Sequence, residues 1–185
     1  EEYFEFGLFM SRREYKTINR RLQRGRMASI EEGKYIASVP PYGYVRKKLD
    51  SGKGYILEPD PEESEIVKLI FDFYTIGEVQ PDGTKTKLGL HRIASRLNEL
   101  GFSTRSGSSW NPQTIRNILN NPVYIGKLCW YRRPATKKTS RGSLAVKETL
   151  TCDGLHAPII SLETYNMAQK SFSENILTPS NTRYP

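Results

Sequence analysis

Cysteine is scarce in this chain: Cys129 and Cys152 are the two among 185 residues, so no disulfide framework holds the fold. Histidine is as rare, with only His91 and His156. A structural zinc site needs four ligands at characteristic spacing, and these four side chains are too scattered to make one. No run approaches the ~18 apolar residues of a membrane span, and no signal peptide opens the chain, so a cytoplasmic protein with two reduced thiols is expected. The sequence also lacks a nucleotide-binding glycine loop, an HExxH, a close acidic pair suited to a metal-dependent nuclease, and any Ser/His/Asp order. No catalytic residue, metal or cofactor is therefore expected within these residues. Hydrophobic residues at 37% and aromatics at 11% nevertheless describe a folded chain.

Charge is abundant and unevenly placed. The net charge is +8. Residues 11–48 hold eleven Lys/Arg against three acids, and residues 127–147 hold seven against none. Residues 58–72 reverse this, with six acids and one lysine. Two basic blocks suit a polyanion, whose phosphates must be neutralised along one face. Two solvated basic surface stretches are the plain alternative.

The pattern along the chain predicts an α+β fold: a long N-terminal helix, then a mixed helical domain with small β-hairpins and a helix-turn-helix-like pair. The first ~32 residues have no proline, and Phe6, Phe9, Met10, Ile18, Leu22 and Met27 punctuate a helix about 45 Å long that stops near Gly33. Its second half is too polar to gain much from packing inside one small domain. An extended segment with Pro40-Pro41-Tyr42-Gly43-Tyr44 leads into a hairpin turning at 50–54. Asp60 and Pro61 start a largely buried helix ending near Gly77. Residues 80–88 are turn-rich. A helix over 89–100 buries Leu90, Ile93, Ala94, Leu97 and Leu100, and a second, capped by Asn111, runs through about Asn120 with Ile115, Ile118 and Leu119 inward. Residues 124–133 and 148–152 have strand character around a basic loop, and a last helix follows Ser161. This organises the chain as 1–32 long helix, 33–176 main domain and 177–185 flexible tail.

Several residues stand out as candidate contacts. Gln113, Thr114, Arg116 and Asn117 occupy the polar face of the second helix of the pair, where amides suit adenine and guanidinium suits guanine in the major groove. The connecting loop is longer than the tight turn of the ordinary motif, and a merely polar surface helix is the competing reading. The 44–48 and 130–133 stretches interleave aromatics with cations, and Trp130 and Tyr131 divide between core packing and nucleic-acid contact.

The residues resemble the large serine recombinases. Ser11-Arg12-Arg13-Glu14 through Ile18, Arg21, Gly25 and Gly33 is similar to their long interdomain helix, and Pro40-Pro41-Tyr42-Gly43-Tyr44 to the opening of their recombinase domain. The likeness continues through 57–63, 70–74, Ile93 to Asn98 with Gly101, Trp110, 115–126 and His156 to Ser161, nearly the whole chain in order. It implies a site-specific DNA recombinase acting through a phosphoserine intermediate in integration or excision, without metal or nucleotide. On that likeness the serine-bearing domain and the cysteine-rich zinc ribbon lie outside these residues, so the fragment alone is expected to be inactive. Arg21 matches an arginine that in the family helps the active site from the long helix, and Glu14 matches a nearby acid. The implied partners are attachment-site duplex DNA and a second subunit, held through the first half of that helix. The implied DNA-binding set is Arg20, Arg24, Arg26, Lys34, Tyr42, Arg46, Lys47, Lys48, Gln113, Thr114, Arg116, Asn117, Arg132, Arg133, Lys137 and Lys138, with residues 28–42 near the minor groove. A winged-helix transcription regulator is the alternative; an RNA-binding module lacks its aromatic strand, and a stand-alone enzyme lacks its catalytic group.

Overall fold

The fold is organised around one capped, buried helix, as seen in a computed structural model that describes residues 2–50, 52–79, 83–132 and 148–176. That helix, α2 (Pro61–Thr75), begins where the Asp60 carboxylate accepts hydrogen bonds from the amides of Glu62 and Glu63, at 3.1 and 2.9 Å. Pro61 supplies a preset φ, and the two glutamates sit on the positive end of the helix dipole. Val67, Ile70 and Phe71 are fully buried along it. Gly77 then turns the chain at φ +100, a backbone region that favours glycine.

Before α2 the chain forms α1 (Glu2–Glu31) and a hairpin of β1 (Tyr44–Lys48) with β2 (Tyr55–Pro59), Arg46 opposite Leu57. After it come the two-residue strands β3 (Glu78–Val79) and β4 (Lys85–Thr86), then α3 (Leu90–Glu99) and α4 (Pro112–Leu119). A 3-10 turn over Pro122–Ile125 leads to an antiparallel pair, β5 (Lys127–Arg132) and β6 (Glu148–Asp153), and α5 (Leu162–Ile176) closes the order. Among the described residues the three sheets are separate two-stranded ribbons. The core is therefore helical: α2 packs on α3, α4 and α5. Ile93, Leu97, Ile115, Leu119 and Ala168 meet Phe71 and Tyr124 there.

Among its described side chains, α1 enters this body only at its end. Residues 13–26 are exposed apart from half-exposed Asn19, while Ile30 is buried. Gly33, at φ +74, closes the helix through Gly33 N–H to Ile30 O (2.8 Å) and Lys34 N–H to Ser29 O (2.9 Å). A Cβ there would stand 2.9 Å from the Asp153 carbonyl oxygen and 3.0 Å from Leu155 N. The end of the long helix is thus seated against the end of β6.

Two expectations are corrected. Leu100 is exposed, because α3 stops at Glu99 and the turn into Gly101 (φ +80) rotates Leu100 off the buried face. Residues 124–126 are not strand: Asn121 accepts from the Val123 amide and caps a 3-10 turn that Gly126 ends at φ +80, so β5 begins at Lys127. Residues 177–185, expected as a tail, and most of the basic loop, 133–147, lie outside the described residues.

Candidate nucleic-acid interface

α4 presents its two faces as its period dictates. Asn111 accepts from the Thr114 amide at 2.9 Å, Pro112 occupies the first turn, and Ile115, Ile118 and Leu119 go inward. Gln113, Arg116 and Asn117 are exposed, and Thr114 is half-exposed. Gln113 Nε2 donates to Asn117 Oδ1 at 2.8 Å, so these two amides are prepositioned as a pair. The Arg116 side chain makes no hydrogen bond or ion pair among the described residues. The loop between α3 and α4 is long but held: the Asn98 side chain donates to Trp110 O (3.0 Å) and accepts from Trp110 N–H (2.8 Å).

The segment between α1 and β1 is folded onto the hairpin. Tyr35 N–H bonds to Tyr55 O at 2.7 Å, and Tyr35 Oη donates to Val39 O at 2.6 Å. Tyr42 is half-buried, its ring edge-on to Trp110 at 5.0 Å, with Tyr124 Oη donating to Tyr42 O at 2.8 Å. Burial, with nearby Glu63 adding to it, pushes the Tyr42 phenol up to about 12, so the ring stays neutral. Tyr44 is fully buried; its hydroxyl donates to Ala157 O at 2.9 Å. His156 Nε2 stands 2.8 Å from Val123 O, and burial lowers the pKa of this imidazole.

The cations divide into free and engaged groups. Arg20, Arg24 and Arg26 project from α1 into solvent, and Lys48 is exposed at the end of β1. Lys34 pairs with Glu32, and Lys47 with Glu58 at 3.2 Å, both on the surface where such pairs contribute little and exchange readily. Arg46 is occupied: Nη1 donates to Ala37 O (3.2 Å) and Ser38 O (3.3 Å), and its Cζ lies 3.7 Å over the Tyr55 ring. Arg132 ends β5, but its side chain, with Arg133, Lys137 and Lys138, lies outside the described residues, as does the Tyr131 side chain. Trp130 packs against the core. Cys129 and Cys152 stand one register position apart across β5 and β6, which puts them on opposite faces.

Arg105 is the residue that sequence reasoning missed. Its Nε donates to Glu63 Oε1 at 2.9 Å and Nη2 meets Glu63 Oε2; Nη1 donates to Pro40 O (3.0 Å), and Nη2 to Tyr44 O (2.8 Å) and more weakly to Pro41 O (3.4 Å). Glu63 Oε2 also accepts from the Gly43 amide at 2.8 Å. The hydrogen bond to Glu63 raises the Arg105 pKa, so the guanidinium stays charged. Among the described residues, no group of three His, Cys, Asp or Glu is placed to hold a metal ion, and no helix is long and apolar enough to cross a membrane.

The family model described as Recombinase matches residues 61–175, well over half of the chain. The chain belongs to the recombinase family. It is 29% identical over 133 residues to a Bacillus subtilis (strain 168) protein named "Putative DNA recombinase", covering 70% of this chain and 24% of that protein. It is 31% identical over 75 residues to the Bacillus subtilis (strain 168) protein YefB, which has no assigned role, covering 40% of this chain and 25% of YefB. The recombinase chain thus spans about a quarter of the length of these relatives. Its fold is similar to that in a crystal structure of an LSR–DNA complex, with a TM-score of 0.56 and 23% identity over 86% of this chain and 41% of the other. A second solved chain, from work on the sequence requirements of the Listeria innocua prophage attP site, matches with a TM-score of 0.50 and 25% identity, covering 83% of this chain and 51% of the other. The expected α+β architecture with a leading helix is the observed one.

Proposed function

We propose that this chain is the part of a serine site-specific recombinase that binds and reads duplex DNA at an attachment site. The observation that carries the reading is α4: a capped helix with its apolar side locked into the core and Gln113, Arg116 and Asn117 facing solvent. Such a face reaches base edges in a major groove, where an arginine is suited to guanine and paired amides to adenine. Exposed arginines on α1 and Lys48 supply the phosphate contacts, which position the protein without reading sequence. The solved relatives are described as an LSR–DNA complex and as bearing on a prophage attP site, which supports duplex DNA over RNA or a promoter-type partner. Strand cleavage through a phosphoserine link belongs, on this reading, to the greater part of the protein that the long relatives contain. Self-association runs through the first half of α1.

Replacing Arg116 with alanine is expected to cost about 1–3 kcal/mol on the cognate site and to relax preference at one base pair. Titration of labelled duplexes, with each base pair varied in turn, checks this. An equal loss on random DNA would remove the base-reading role from α4.

A further inference from the structure

Two arginines, Arg46 from β1 and Arg105 from the loop between α3 and α4, use their guanidinium groups on the main chain around the segment between α1 and β1. Arg46 takes the carbonyls of Ala37 and Ser38, and Arg105 those of Pro40, Pro41 and Tyr44. Each is itself braced, Arg46 on the Tyr55 ring and Arg105 on Glu63. Prolines 40 and 41 donate no amide, and Gly43 N–H is bound by Glu63. Ile36 and Val39 meanwhile stay exposed. A chain segment with carbonyls held by two cations, Tyr42 and Tyr44 packed inward, and Ile36 and Val39 left facing out is prearranged for a partner rather than a loose tether.

We infer that Arg46 and Arg105 are positioning residues that hold residues 36–44 in one conformation, fixing the spacing between α1 and α4 on the DNA. This rests on the DNA-binding reading above. It gives Arg46 a different task from neighbouring Lys48, although both sit in one basic run. Arg46 is tied to the protein, its Nη1 on two carbonyls and its guanidinium over the Tyr55 ring, whereas Lys48 is exposed and unpaired among the described residues. Arginine suits the task because its planar fork reaches several acceptors at once, which a lysine ammonium cannot match.

The test uses the whole chain with Arg46→Gln, Arg105→Gln, Arg105→Lys and, for contrast, Lys48→Gln. In the free protein, hydrogen exchange at the Gly43 and Tyr44 amides should speed up about tenfold in both glutamine variants, with the β1–β2 ladder unchanged. Arg105→Lys, which keeps the charge but not the fork, should fall between. On cognate duplex, Arg46→Gln and Arg105→Gln should bind about tenfold more weakly with the salt slope unchanged, whereas Lys48→Gln should lower that slope by about one. Hydroxyl-radical protection should shrink on the flank beside the α4 contact and persist at the α4 contact itself. Unchanged amide exchange overturns the inference, and so does a salt slope that falls in Arg46→Gln as it does in Lys48→Gln. Should wild-type protein fail to bind duplex, the DNA reading falls alone, since exchange in the free protein still decides the positioning role.

Discussion

Helices α1 and α2 differ in what stabilises them. α2 has 15 residues, a carboxylate cap and a proline start, and its apolar residues are buried on three neighbouring helices. α1 is twice as long, carries arginines along its second half, and leaves Tyr15, Ile18 and Leu22 exposed. Helical stability in proteins comes mainly from packing of an apolar face, so α2 is secured by the fold and α1 mostly is not. Among its described side chains, cationic α1 has one buried residue, Ile30, and on the DNA-binding reading it is organised for surfaces outside this body. The difference separates scaffold from contact element, and substitutions should obey it.

Truncation in the core should show the widest gap. Phe71→Ala removes a fully buried ring that packs on Tyr124 and Tyr165, and is expected to cost about 3–5 kcal/mol in urea unfolding. Leu22→Ala, on exposed α1, should stay within about 0.5 kcal/mol. Equal losses would mean that α1 packs as α2 does, and the division would fail. Next comes Gly77→Ala, at the end of α2. The residue sits at φ +100, and a Cβ would stand 2.5 Å from the Thr86 backbone, so strain of about 1–3 kcal/mol should follow in the same assay. Gly25→Ala, in α1, meets nothing within 4 Å and should stabilise its helix slightly.

His156 tests the scaffold by pH. Its pKa is lowered by burial in the fold, while in the unfolded chain it returns to about 6.5. The folded state therefore prefers the neutral ring. The contribution is fully present above the unfolded pKa and is lost as pH falls from there through the folded value. Unfolding followed from pH 8 downward should show a stability decline that starts near pH 6.5 and is reduced in His156→Gln.

Local features were readable because their physics is local. Asp60 before Pro61, Asn111 before Pro112 and Gly33 after α1 each satisfy helix-end groups within a few residues, so the caps follow from spacing alone. The pairing of Arg105 with Glu63 spans 42 positions, and Tyr44 reaches Ala157 across 113; nothing periodic marks either. Tyr124-Ile125 misled because β-branched and aromatic residues favour strands, while Asn121-Pro122 and Gly126 impose a capped turn. In the candidate interface, the outward face of α4 was legible from its period. That Arg46 is occupied and Lys48 is not depends on where residues 37 and 38 fold back, which only the three-dimensional chain reveals.

The smallest expected effect on stability tests the contact side of the division. Arg24 stands on exposed α1 without a partner among the described residues, so Arg24→Ala should leave unfolding within about 0.5 kcal/mol of wild type. Against duplex DNA it should weaken binding by a similar factor for every sequence and lower the salt slope by about one, as loss of one phosphate contact requires. Lys68 on α2 is exposed too, but it is already paired with Glu65 at 2.7 Å, in the acidic stretch 58–72. Lys68→Ala should therefore change neither slope nor affinity. If the two lysine and arginine variants respond alike, any surface cation suffices and α1 has no special place against the DNA. If only Arg24→Ala lowers the slope, the long helix lies along phosphates, and its weak attachment to the fold is what leaves that cationic face free to do so.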